Sequence, residues 1–166
     1  MLPPKESVFT VDTTGDGIAD SIQIKITNLL VPFTVPENIE IGDFKLGSFD
    51  LDNINVSAYI SVYLDDREIN LSNESINIDT IRDRLSLFHK GESFSFSNIL
   101  EGKLSGRTIN LGDTISVLIT LSPETLKELT KGAHVFRIES DLISNLIINF
   151  ELDENNMNIK FDPRNT

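Results

Sequence analysis

The sequence predicts an all-β chain: a two-sheet antiparallel β-sandwich, immunoglobulin-like or jelly-roll-like, with one or two short crossover helices. Three observations predict it. Apolar residues recur at every second position in several segments, the spacing of a strand with one buried face. Clusters of Gly, Asp, Asn and Ser separate those segments, as turns do. Helical spacing occurs only in two short stretches. At 166 residues the chain fits a single domain over 1–166, with 1–5 and 162–166 expected as flexible tails.

The first strand is expected at Val8-Phe9-Thr10-Val11 and the second around Ile22, Ile24 and Ile26, which alternate with Ser21, Gln23 and Lys25. The most regular alternation runs from Ile54 to Leu64, with Val56, Ala58, Ile60 and Val62 inward and Tyr59 and Tyr63 on the polar face. Ile81, Leu85 and Phe88 have helical spacing, so 79–88 is expected as a helix. Phe94 and Phe96 mark the next strand, and Ile115, Val117, Ile119 and Leu121 the one after it. Ser122-Pro123-Glu124 then combines an N-cap, a proline suited to the first helical position and an early acid, followed by Leu126 and Leu129, a second short helix ended by Gly132. Phe136/Ile138, Leu146/Ile148/Phe150/Leu152 and Met157/Ile159/Phe161 predict the last three strands. Turns are expected at 15–17, 46–48, 65–66, 102–106, 111–113 and 153–156.

Twenty-six acidic against fourteen basic residues give a net charge of -12, which opposes binding to nucleic acid. With no cysteine, thiolate chemistry and disulfides are excluded. The longest apolar runs, such as Leu29 to Val31, are far shorter than a membrane span, so no transmembrane segment is expected. Asn55, Asn70 and Asn73 begin glycosylation sequons, weak support for an exterior location in a chain so rich in Asn and Ser.

One motif carries chemistry. Asp12-Thr13-Thr14-Gly15-Asp16-Gly17-Ile18-Ala19-Asp20 places oxygen donors at alternate positions around glycines that permit a sharp bend. A hard cation such as Ca2+ takes six to eight oxygens, and Asp12, Thr14, Asp16, the Ile18 carbonyl and Asp20 are the candidate ligands. The stretch resembles the calcium loops of FG-GAP repeats and of thrombospondin type 3 repeats, which implies an extracellular, calcium-stabilised setting. It departs from an EF-hand: the twelfth position is Gln23 rather than Glu, and the flanks alternate as strands do. Without a metal, the same residues read as a polar hairpin loop.

Other titratable groups carry less. His89 reads as a loop residue after a helix and His134 as a strand start, and neither lies in a nucleophile motif. The pairs Asp50/Asp52 and Asp65/Asp66 read as solvated turn acids rather than a glycosidase pair. Tyr59 and Tyr63 form a possible contact surface. The resulting expectation is a non-enzymatic structural or interaction module, self-assembling or adhesive, at a cell surface, in an appendage or in a virion. It would work with a protein partner or with its own copies, pairing 2–11 or 157–161 onto a neighbour's sheet edge. The alternatives are a carbohydrate- or ligand-binding accessory domain and a jelly-roll hydrolase.

Overall fold

The computed structural model describes residues 7–29, 31–36, 40–41, 44–45, 60–69, 84–95, 98–99, 101–140 and 145–165. The chain is mostly β, in two larger open sheets and two short ribbons. The first sheet has the order β14-β1-β2-β11-β8-β9, built from β1 (Val8–Asp12), β2 (Ser21–Thr27), β8 (Leu85–His89), β9 (Glu92–Ser95), β11 (Thr114–Thr120) and β14 (Ile159–Lys160). The second has the order β13-β12-β6-β7, from β6 (Ile60–Leu64), β7 (Arg67–Ile69), β12 (Gly132–Ser140) and β13 (Leu146–Leu152). The ribbons are β3 (Phe33–Thr34) with β10 (Thr108–Ile109), and β4 (Glu40–Ile41) with β5 (Phe44–Lys45).

Residues of both larger sheets meet in one hydrophobic core. Val8, Ile22 and Ile24 come from the first sheet, and Leu64, Ile69, Phe136, Ile148, Phe150 and Leu152 from the second. Along β13 the period of two is complete over its described side chains: Ile148, Phe150 and Leu152 are buried while Ile147, Asn149 and Glu151 are exposed. The turns are made by residues that accept left-handed backbone. Asp65 (φ 51°) and Asp66 (φ 65°) join β6 to β7, and Lys90 (φ 52°) and Gly91 (φ 77°) join β8 to β9. Positive φ at both central residues is the two-residue hairpin geometry that suits the strands' twist.

The helix α1 (Pro123–Glu128) forms where its caps place it. Ser122 Oγ accepts the Thr125 N–H at 3.3 Å, proline opens the first turn, and Leu129 just beyond the end is 3% exposed. Among the described residues no helix is long and apolar enough to cross a membrane.

The structure corrects several sequence expectations. Residues 85–88, expected as the end of a helix over 79–88, lie in strand β8, and His89, expected in the loop after it, is a strand residue 1% exposed. The reason is double coverage. Phe88 is buried on the sheet face opposite the main core, edge-on to Phe161 at 5.2 Å, so the alternation of Leu85, Ser86 and Leu87 ends at an apolar residue on the second face. Ser21, Gln23 and Ser116, read from sequence as solvent-facing, are also buried; Gln23 Nε2 donates to Ser116 Oγ at 3.3 Å. Ile26, expected inward, is 38% exposed near the end of β2.

Only Ile159–Lys160 of the expected 157–161 strand is β, and it pairs in parallel with β1, whose other side pairs antiparallel with β2. On the β14 side β1 is engaged at Val11 and Asp12, with the Thr10 N–H donating to the Asn156 carbonyl at 2.9 Å. The segment expected to be a C-terminal tail contains a 3-10 turn, Pro163–Asn165, with Asp162 accepting from the Arg164 N–H at 2.9 Å. The expectations for 1–5, 46–48, Ile54 to Tyr59, Asp50/Asp52, 79–83, Phe96 and the three sequons lie outside the described residues.

Candidate functional site

The 12–20 loop is closed by its own acids. Asp12, 5% exposed at the end of β1, accepts from Gly15 N at 2.6 Å, Gly17 N at 2.7 Å and Thr14 Oγ1 at 3.2 Å. These donors, the Gly17 N–H foremost, hold its carboxyl below the ordinary carboxylate range against the opposing effect of burial. Asp20 accepts from the Thr13 N–H (2.9 Å) and hydroxyl, the Thr14 N–H (3.2 Å) and the Ser21 hydroxyl (2.6 Å). Asp16 Oδ1 accepts from Ile18 N at 2.9 Å, and the Ile18 side chain is 71% exposed. Thus each of the five sequence-nominated residues sits in one loop, but among the described residues no group of three or more acids or histidines converges in a geometry that could hold a metal. The loop acids supply acceptors for loop donors, and this bonding braces the turn.

Beside this loop lies a groove of about 430 Å³. Leu121, Leu126, Leu129 and Met157 give it apolar lining, the 14–20 loop and α1 border it, and Asp16, Asp20 and Lys127 bring charge to it. Its volume falls in the ~300–1,000 Å³ range of ligand-holding clefts.

A second feature lies at the far end of the same strands. β2 and β11 pair in register from Ser21↔Thr120 to Thr27↔Thr114. The groove end is joined by Leu121 N to Asp20 O at 3.1 Å. The opposite end is joined by Asn28 N to Asp113 O at 2.9 Å and Gly112 N to Asn28 O at 2.8 Å. There the Asn28 side-chain amide donates to the carbonyls of Val31 (3.4 Å), Ile109 (3.2 Å) and Asn110 (3.1 Å), tying two segments together. Those segments leave Leu29 64%, Val31 77%, Phe33 48% and Leu111 63% exposed. Four large apolar side chains are thus exposed on two segments that the Asn28 amide ties together.

No family model, curated protein or solved structure matches the chain.

The two histidines are held in fixed networks. His89 Nε2 lies 3.2 Å from Asp113 Oδ2 and its Nδ1 3.1 Å from Arg107 Nη1. Arg107 can only donate, so Nδ1 accepts and Nε2–H donates to the carboxylate. Arg107 also pairs with Glu92 and lies over the Phe94 ring, 4.7 Å from its centre. The Asn110 N–H, then Lys90 and His89, hold the Asp113 carboxyl well below the ordinary range. His134, 7% exposed, lies between Asp65 Oδ2 at 2.6 Å and the Thr130 carbonyl at 2.7 Å, so both nitrogens face acceptors. Each ring has both nitrogens committed to a protein partner. Asp65, expected as a solvated turn acid, also accepts from Val135 N at 2.8 Å, whereas Asp66 is 95% exposed on its side chain.

Tyr63, nominated as a contact residue, is half-buried with the Arg137 guanidinium 4.4 Å from its ring centre, and Tyr59 lies outside the described residues. The groove and the four exposed apolar residues were not found from the sequence. For these exposed residues a signal existed: Leu29 to Phe33 is a run of five residues without a polar side chain.

The depressed acids set a pH expectation. Asp12 and Asp113 bind protons less readily folded than unfolded, so their contribution to stability is complete above the unfolded carboxylate pKa of about 3.9 and is lost as pH falls toward the lower folded values. Urea midpoints measured from pH 6 down to 2.5 should be level at first and then fall. Asp113→Asn should lower the midpoint at pH 6 and flatten the acid limb; an acid limb unchanged in this variant contradicts the assignment.

Proposed function

We propose that this protein is a non-enzymatic interaction module that associates with copies of itself, built on a two-sheet sandwich and serving an exterior structure such as a cell-surface appendage or a virion. The exposed apolar side chains of Leu29, Val31, Phe33 and Leu111 carry this reading. Large apolar side chains left exposed on neighbouring segments mark contact sites on otherwise polar proteins. The histidine networks support it, because neither ring offers a free nitrogen to a substrate. The calcium reading belongs to the same proposal: Ca2+ bound by Asp12, Thr14, Asp16, Ile18 and Asp20 would cross-link the loop, with Asp12 and Asp20 exchanging loop N–H partners for the ion. The groove favours a second reading, a ligand-binding domain, since it joins apolar walls to a few charged groups.

Sedimentation velocity over a hundredfold range of protein concentration tests the association. The weight-average mass is expected to rise with concentration, and Leu111→Asp, at an exposed position, is expected to weaken association about tenfold or more. A monomer at every concentration sinks the reading.

A further inference from the structure

The His134 ring sits where only one of its protonation states makes both of its contacts. It is 7% exposed near the start of β12 and stacks on Phe150 of β13, with ring centres 5.5 Å apart. Nδ1 lies 2.6 Å from Asp65 Oδ2 in the β6–β7 turn, and Nε2 lies 2.7 Å from the Thr130 carbonyl just past α1. An ionised carboxylate and a carbonyl only accept, whereas a neutral imidazole has a single N–H to give. Both contacts are hydrogen bonds together only when both nitrogens carry protons.

Among the described residues, Asp65 is the one charged group that bonds the ring. Asp66 lies 3.9 Å from Arg137, Arg67 of β7 pairs with Glu128 of α1, and Lys131 pairs with Glu154 at 2.6 Å. Arg137 and Glu139 on β12 and Glu151 on β13 alternate with His134 and Phe150 and so stand on the opposite face, as does Glu68, the partner of Tyr63, which itself pairs with Arg137.

We propose that His134 is a proton-operated latch on the connector between α1 and β12: doubly protonated it holds that connector, and on losing one proton it releases it. Asp65 keeps the remaining proton, because a charged acceptor holds an N–H more strongly than a carbonyl does. Nε2 then turns a lone pair toward the Thr130 oxygen. Thr130 is exposed, so its carbonyl can turn to water, and residues 129–131 lie outside both α1 and β12. Gly132, with φ 135°, supplies a hinge at the strand end of the connector, in backbone that other residues rarely adopt. Leu129, in the same connector, is 3% exposed and lines the groove with Leu126, so opening the latch moves one wall of the groove. The device is independent of the self-association reading.

Nuclear magnetic resonance of the 15N,13C-labelled protein between pH 5 and 9 tests the latch. At the acid end the His134 ring should carry protons on both nitrogens, and at the alkaline end on Nδ1 alone. The Thr130 carbonyl, the Lys131 amide and the Leu129 methyls should shift over the same pH interval as the ring, while the Ile138 amide, farther along β12, should not follow it. His134→Gln, which does not titrate, should abolish the shifts of those three groups, with circular dichroism showing that it folds; if it does not fold, the wild-type titration decides alone. A ring transition that leaves the three groups unmoved overturns the proposal. So does a neutral ring with its proton on Nε2, since the Thr130 bond then survives. A ring that keeps both protons to pH 9, or that has a bare nitrogen at pH 5, overturns it as well, because the latch then never opens or never closes.

Discussion

Phe136→Ala is expected to destabilise the protein by about 3–5 kcal/mol, the usual cost of emptying a large aromatic site in a packed core. Phe136 is 3% exposed on β12, opposite Ile148 of β13 on one side and Leu64 of β6 on the other. Its ring therefore lies where the central strand of the second sheet meets the shared core. With total stabilities of natural domains at about 5–15 kcal/mol, that loss is a large share. At roughly 2–4 °C per kcal/mol for a chain of this size, it lowers the melting temperature by about 6–20 °C. Ile147→Ala on β13 is the matched comparison, because Ile147 is 59% exposed beside buried Ile148 and its loss should stay within about 0.5 kcal/mol. Urea unfolding followed by circular dichroism reads both. Equal losses at the two positions would contradict the facing of this sheet.

Calcium is expected to raise stability by about 2.7 kcal/mol when present at a hundredfold excess over its dissociation constant, provided it binds the folded loop alone. In melting curves that is a rise of about 5–11 °C. Asp16 is the informative ligand, since one carboxylate oxygen is spent on Ile18 N while Asp12 and Asp20 are each held by several loop donors. Asp16→Ala should abolish the response with little change in metal-free stability, whereas Thr14→Ala should only reduce it. Mg2+ should substitute poorly, because it requires shorter bonds in octahedral geometry and releases water reluctantly. Superimposed curves with millimolar Ca2+ and with chelator would leave the loop as a hydrogen-bonded turn.

Where one face of a strand is buried, its place was legible from the sequence. β13 follows the alternation of Ile148, Phe150 and Leu152, and α1 begins at the Ser122-Pro123 signal. Legibility failed where a sheet is covered on both faces. On β8 Phe88 adds an apolar residue to the face opposite Leu85 and Leu87 because Phe161 covers it, and the spacing of Leu85 and Phe88 then looks equally helical. Buried polar residues failed for a related reason: Ser116 satisfies its hydroxyl with Gln23 across the sheet, a pairing that neither residue announces. Of the candidate site, the loop was legible because its residues are contiguous. The groove was not, since Thr10, Leu121, Leu126 and Met157 reach it from distant parts of the chain.

The pairing of β1 with β14 bears on how the chain reaches its fold. Val11 lies opposite Ile159, so this edge closes only once a segment far along the sequence from β1 is available. Contacts of such long separation require loop-closure entropy to be lost before they return any stability, and topologies rich in them fold slowly. During synthesis β1 can pair with β2 early, yet its other edge keeps unsatisfied N–H and C=O groups until residues 159 and 160 emerge. Over that interval the nascent chain offers an open template for strand pairing, the stage at which β proteins are most exposed to misassembly.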